Sequence, residues 1–462
     1  MNPAAIAAAL KAEGISFDID ASARRVRLTL HAQGRNARVR DILYRALNGL
    51  EPFFNVFIEG APFCFMPDAR DHLLYRKRPG ARYARFGACA ACCMKPLCPG
   101  LEKGGGFDAA PRGLLAPVLA APLETVFELT KKCNLNCRLC FASASDAAQP
   151  LPVLRAALRA ARKLGIGSVR FTGGEPFLSA SLLPLLKQAK AAGLYTLVNT
   201  NAALPHPELF VAAAPYMDNV LVSMQAASAA GEKAATGGDF KVKLANMRRL
   251  RSMVKVFRLG TVATRELIED FDSYLTLARS LKADIWEIYR PMPDGRKKRT
   301  PVPTPGADDF KKLSSIIAAT GAAGPRVVLA NPLPLCLVPE AERVNLLGAA
   351  YDDGHTRLVF DPRGFYKPSY YIETDLGRDP ARAWSSPALN RVSSPARLGP
   401  ACRACDYLLK CLGGSRVAAK ISGGNYSAPD PWMPQLRGAL KVPEDPEPVA
   451  AARAARRQRP AQ

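Results

Sequence analysis

Three cysteines grouped just after a β-rich run constrain this chain more than any other feature. Within residues 126–141, VFELTKKCNLNCRLCF, Cys133, Cys137 and Cys140 stand at C-x3-C-x2-C spacing. Thiolates so spaced can wrap a loop around a [4Fe–4S] cube and ligate three of its irons. The fourth iron is then open to a substrate, by the logic that separates catalytic from structural metal sites. The alternatives are a zinc knuckle or a set of buried thiols. Zinc sites are usually built from four ligands in paired C-x2-C units, a pattern this loop does not have.

Length and composition narrow the class. A chain of 462 residues predicts two to four domains, and 48% hydrophobic content excludes a disordered chain. The opening MNPAAIAAALKAEG has neither a basic n-region nor a long apolar run, and no apolar stretch is long enough to span a bilayer. The expected location is cytoplasmic, with no membrane partner. Twelve cysteines in such a chain argue for metal or redox chemistry over disulfides. The net charge, 64 − 40 = +24, permits an anionic partner without naming one. No RNA-binding module or aromatic-interleaved basic stretch accompanies it, so nucleic acid is not favoured as a partner. Its two conspicuous runs, 296–299 and the Ala/Arg/Pro-rich tail, read as solvated segments, with residues 431–462 expected to be disordered.

An internal repeat accounts for most of the other cysteines. Pro62-Phe63-Cys64-Phe65-Met66-Pro67 precedes Cys89, Cys92 and Cys98; Pro334-Leu335-Cys336-Leu337-Val338-Pro339 precedes Cys402, Cys405 and Cys411. Both blocks have the form P-x-C-x2-P … C-x2-C-x5-C-x-G. Four thiolates in such a block can fully ligate a second kind of [4Fe–4S] cluster with no open iron, or a four-cysteine zinc site. The adjacent Cys93 is the cysteine left over. It leaves the N-terminal ligand set ambiguous between neighbours and is a candidate hydrogen donor or a spare thiol.

Between the blocks the pattern is regularly β/α. Strands are expected at 126–129, 168–172, 195–199, 219–224, 256–262 and 285–289, the first five followed by helical segments such as LPVLRAALRAARKLG and DFKVKLANMRRLRSM. Six such units imply a parallel sheet with right-handed crossovers and ligands at the C-terminal strand ends. The expected organisation is an N-terminal α+β cysteine-rich domain (1–103), a Gly/Pro linker (104–122), the β/α core (123–300), and a C-terminal cysteine-rich domain (325–430). Each strand-end polar residue also has a plainer reading as a turn or a cap.

The triad, with Thr130 and Asn134 around it and Phe141 directly after it, resembles the signature of the radical SAM enzymes. That resemblance implies a six-stranded partial (β/α)6 TIM-type barrel. In this family the open iron chelates S-adenosylmethionine, and one electron cleaves it to a 5′-deoxyadenosyl radical. Gly173-Gly174-Glu175-Pro176 matches the family's segment at the methionine amino group, Glu175 being suited to accept from an ammonium. Thr200-Asn201 matches its Thr-Asn-Gly with Ala202 in place of glycine, and Ser223, with Gln225 beside it, stands at the ribose position. The C-terminal block resembles the SPASM or twitch extension that carries auxiliary clusters. It departs at Ser369 and Ser415, where that pattern has cysteines, so it keeps ligands for one cluster and the repeat supplies another. The resemblance implies modification of a peptide or protein side chain, with a small metabolite, lipid or RNA as the alternative substrate, electron relay by the auxiliary clusters, and a reductant such as a flavodoxin or ferredoxin. The alternative from another class is a non-catalytic iron–sulfur electron carrier.

Overall fold

The computed structural model describes residues 3–31, 36–111, 113–140, 145–292, 304–321 and 323–433. Phe141, the basic run 296–299 and the tail from 434 onward lie outside the described residues.

The chain begins with a helix, Pro3–Ala12, and a four-stranded sheet in the order β1-β2-β3-β4. Strands β1 (Ile15–Asp20) and β2 (Arg25–Leu30) form a hairpin, with Ile15 opposite Leu30. Helix Ala37–Leu50 then crosses over to β3 (Asn55–Glu59), parallel to β2. Asn36 caps that helix by accepting from the Val39 N–H, and Val39, Leu43, Ala46 and Leu47 form its buried stripe. A two-residue strand, β4 (Leu73–Leu74), completes the sheet. A small hairpin, β5 (Tyr83–Ala84) with β6 (Leu101–Glu102), brackets Cys89, Cys92 and Cys98.

Segment 104–122, expected to be a linker, is part of this unit. Phe107, Leu114, Val118 and Leu119 are buried in its core, and the Ala116 N–H donates to the Cys64 carbonyl. The glycines and prolines there make turns between apolar anchors, so turn chemistry alone misled the reading.

The central sheet has nine strands in the order β13-β12-β11-β10-β9-β8-β7-β14-β15. Strands β7 (Glu124–Glu128), β8 (Ser168–Thr172), β9 (Tyr195–Thr200), β10 (Asn219–Ser223), β11 (Val256–Val262) and β12 (Ile285–Tyr289) stand in chain order. On one edge β13 (Arg326–Ala330) continues the parallel sheet, and on the other β14 (Arg357–Phe360) lies parallel to β7. Only β15 (Tyr366–Lys367) is antiparallel. Three strands within the range expected for a separate C-terminal domain, none of them expected as strands, thus extend the central sheet. RVVLA and RLVF are the short apolar runs of a doubly covered parallel sheet, which carry no alternation to mark them. Helices including Leu151–Lys163, Leu182–Ala191 and Phe240–Met253 pack the outer face, and the main apolar core lies between them and the strands.

The repeat is visible in three dimensions. β3 and β13 each lead into a one-turn 3-10 helix holding a cysteine, Phe63–Phe65 and Leu335–Leu337, and then into a second, Pro67–His72 and Glu340–Asn345. The two units also pack together. Leu409 and Leu412 enter the N-terminal core, the Phe57 ring meets Tyr407 edge-on at 5.0 Å, and Asp406 pairs with Arg27 and Arg76. Among the described residues no helix is long and apolar enough to cross a membrane.

Candidate functional site

Inward-facing residues of β7 to β14 line one cavity of about 890 Å3, so the sheet curves around it. At the C-terminal strand ends its wall is made by Cys133, Cys137, Cys140, Thr172, Gly173, Gly174, Thr200, Asn201, Ser223 and Gln225. The triad and most of the strand-end residues expected from the sequence therefore share one space. Burial and the neighbouring thiols push Cys137 up to about 12, a thiol that a bound metal would have to deprotonate.

Backbone contacts hold the cysteine loop in place. The Gly174 N–H donates to the Thr130 carbonyl at 2.7 Å and the Glu175 N–H to that of Lys132 at 2.8 Å. On the opposite side the N–H groups of Asn136 and Arg138 donate to the carbonyls of Thr236 and Ala235 at 3.1 and 3.0 Å. Asn201 Nδ2 reaches Asn134 Oδ1 at 2.9 Å and Cys133 Sγ at 3.6 Å. Ala202 has φ +54°, which explains why glycine suits this place in the Thr-Asn-Gly pattern.

Glu175 does not line the cavity. Its Oε1 accepts from the Thr200 hydroxyl at 2.7 Å and the Phe177 N–H at 3.2 Å, and its Oε2 from the Asn201 N–H at 2.8 Å. The carboxylate expected to meet an ammonium is instead spent on fixing the next strand end, and Pro176 is buried behind it. Cys93 is also absent from the cavity wall. Its N–H bonds to Val118 in the N-terminal unit, so it is not placed to donate hydrogen to anything in this space.

Below the strand ends lies a layer of charged side chains that sequence reasoning missed. Arg170 donates from Nε and Nη2 to Glu124 at 3.0 and 3.1 Å, and from Nη1 to Asn199 at 3.0 Å. Arg357 bridges Glu124 and Asp352, while Arg258 joins Asn219 at 2.9 Å and pairs with Glu287, which also accepts from Tyr289. The available signal was a lone charge in an otherwise apolar strand, as in SVRFT, VFRLGTV and IWEIY.

The other thiols fall into two further groups. Cys64, Cys89, Cys92 and Cys98 line one small pocket that Cys93 does not enter. Burial first, then Cys98, Cys92 and Cys89, push Cys64 up to about 12. In the C-terminal unit burial, then Cys411 and Cys402, likewise push Cys336 up to about 12. Each block's distal cysteine is thus coupled to its own loop, although the two units touch. Ser415, one of the two departures from the auxiliary pattern, caps helix Arg416–Gly423 through the Ala418 N–H. Among the described residues no three His, Cys, Asp or Glu side chains converge on a point where they could hold a single metal ion.

Residues 127–278 match the family described as the Radical SAM superfamily. An AdoMet-dependent heme synthase from Oleidesulfovibrio alaskensis is 23% identical over 66% of this chain and 85% of its own. A PqqA peptide cyclase from Rhodopseudomonas palustris is 25% identical over 69% and 88%. Among solved structures, Streptococcus suis SuiB bound to S-adenosylmethionine superposes with a TM-score of 0.56 at 20% identity, over 68% of this chain and 77% of that one. SuiB bound to the precursor peptide SuiA gives 0.54 at 19% identity, over 67% and 75%. The cysteine loop and strands β8 to β11 lie within the matched segment, so the chain carries a Radical SAM domain.

Proposed function

We propose that the protein reductively cleaves S-adenosylmethionine and abstracts hydrogen from a peptide or protein side chain. The observation that carries this reading is the single cavity in which the cysteine triad, the strand-end residues and a deeper polar layer meet. In it Cys133, Cys137 and Cys140 would hold the cleaving [4Fe–4S] cluster, leaving one iron for the cofactor. When bound, cluster and S-adenosylmethionine supply a one-electron cleavage that yields the 5′-deoxyadenosyl radical. The chain's own part is to bind, orient and exclude water. Gly173 and Gly174 bring backbone to the methionine end, Thr200 and Asn201 follow under the control of Glu175, and Ser223 and Gln225 face the ribose. We read the six central βα units as the family's partial barrel and the layer of Arg170, Arg258 and Glu287 as the floor of the substrate space.

The peptide reading is supported by the PqqA peptide cyclase among the relatives and the SuiA-bound SuiB among the structures. The similarity to a heme synthase keeps a small-molecule substrate as the second reading.

Each repeat block would hold an auxiliary cluster: Cys64, Cys89, Cys92 and Cys98 in one, and Cys336, Cys402, Cys405 and Cys411 in the other. The four N-terminal thiols line one pocket, and four cysteine ligands are what such a cube needs at its corners. Full cysteine ligation suits electron relay. Anaerobically reconstituted protein should then hold roughly twelve irons, three cubes of four. With reductant and S-adenosylmethionine it should release 5′-deoxyadenosine. Alanine at Cys133, Cys137 and Cys140 together should abolish that release and remove about a third of the iron. Cys93→Ala should leave both unchanged; persistent cleavage in the triple variant would defeat the assignment.

A further inference from the structure

Beneath the cysteine loop lies an ion pair that neither the family match nor the sequence pattern assigns. Lys243, on helix Phe240–Met253, places Nζ 2.7 Å from Glu232 Oε1 on helix Ala229–Thr236, and their side chains are 2% and 0% exposed. A fully buried pair of this kind is a weak source of stability, because desolvating two charges offsets most of their attraction. Its placement is more informative. Lys243 lines the cavity together with Cys133, Cys137 and Cys140, whereas Glu232 is not in the wall. The cation is presented to the cavity and its counter-charge is held behind it.

The pair is also tied to the loop. The Thr236 hydroxyl donates to Glu232 Oε1 at 2.7 Å, and the Thr236 carbonyl accepts from the Asn136 N–H, between Cys133 and Cys137. Glu232 Oε2 has no hydrogen-bond partner, so one donor hydroxyl and one ammonium hold this carboxylate in the interior.

Building on the radical SAM reading, we propose that Lys243, positioned by Glu232, raises the reduction potential of the cluster held by Cys133, Cys137 and Cys140. Reduction adds one electron from an external donor, and so one negative charge, to a cluster already bound by three thiolates. A buried cation beside it favours that state, since Coulomb energies are large where water is excluded. Lys243 stands in the wall that the three cysteines share while Glu232 stands behind it, so the charge presented to the loop is the cation.

The test is redox titration of the holoenzyme with dithionite, following the EPR signal that responds to added S-adenosylmethionine. Lys243→Met should move the midpoint to more negative potential and Glu232→Gln to more positive, each by at least tenfold in the reduction equilibrium, about 59 mV for one electron. A structural role alone would shift both variants the same way or neither, and either result would overturn the proposal. Should Lys243→Met fail to take up iron, Glu232→Gln and Lys243→Arg still decide: the first must shift positive and the second must stay near the wild-type value. If wild-type protein shows no signal responsive to S-adenosylmethionine, the radical SAM reading itself falls, and the inference with it. That result differs from an unshifted potential.

Discussion

Gly174 and Lys132 are in backbone contact: a Cβ on Gly174 would lie 2.1 Å from the Lys132 carbonyl oxygen. The neighbouring Gly173 is similarly confined, with a Cβ position 2.4 Å from the Thr130 oxygen. The glycines at the end of β8 therefore serve the cysteine loop as well as any ligand, because the strand that carries the loop runs directly against them. Gly174→Ala should force the two backbones apart, costing about 1–3 kcal/mol as overpacking does, and should lower iron content by about four per chain. Gly167→Ala is the control, since a Cβ there meets nothing within 4 Å. Iron analysis and thermal unfolding of the two variants decide it; wild-type values for Gly174→Ala would mean that the contact yields freely.

Glu175 gives a pH prediction. Burial pushes its carboxyl up to about 7, against the lowering by the Asn201 N–H, the Thr200 hydroxyl and the Phe177 N–H. Because the folded pKa lies above the ordinary carboxylate value, the folded state binds the proton more tightly than the unfolded chain. The stability this contributes is present below the ordinary carboxylate range and is lost as pH rises through about 7. Between about pH 5 and pH 8 the loss should be on the order of 3 kcal/mol. Glu175→Gln removes the titration and should flatten that slope. Denaturant midpoints of apoprotein at the two pH values measure it, and equal slopes in wild type and variant would show that Glu175 is ionised throughout.

The difference between Glu175 and its glycines shows what the sequence could and could not disclose. The C-x3-C-x2-C spacing, the βα alternation and the repeat each lie in consecutive residues, so their local chemistry was legible. The three-dimensional form of the repeat, a strand followed by a cysteine in a 3-10 turn, appears only in the fold. The orientation of Glu175 was not legible, because whether its carboxylate faces the cavity or the strand behind depends on Thr200 and Asn201, both distant in sequence. Lys243 was hidden for a related reason. In FKVKLANMRRL it is one cation among several, and only the packing of two helices buries it against Glu232. Strand β14 was missed because its partner β7 lies far away in sequence, and β13 and β15 because such short runs carry no alternation.

Arg290 and Asp430 join the end of β12 to the last described segment through a bidentate pair at 2.7 and 3.1 Å, with side chains 2% and 0% exposed. Arg290 also stacks on Trp432, its guanidinium carbon 3.7 Å from the ring centroid, and it lines the central cavity. Asp430 Oδ2 additionally accepts from the Ser415 N–H at 2.8 Å, just past Cys411. Removing the carboxylate would leave a buried guanidinium without its partner and a buried N–H without its acceptor. Asp430→Ala should therefore cost about 3–5 kcal/mol, the range for breaking one side of a buried pair. Asp308→Ala, which removes a pair with Lys311 whose side chains are 94% and 46% exposed, should cost under about 1 kcal/mol. The loss at Asp430 should also be selective: iron held by Cys336, Cys402, Cys405 and Cys411 should become labile to chelation, while iron held by the N-terminal four should not. Chelator-release kinetics in Asp430→Ala, with Asp430→Asn as the variant that keeps an acceptor oxygen, test the connection. Iron lost at the same rate from both blocks would show that Asp430 stabilises the whole fold rather than the C-terminal cysteine loop.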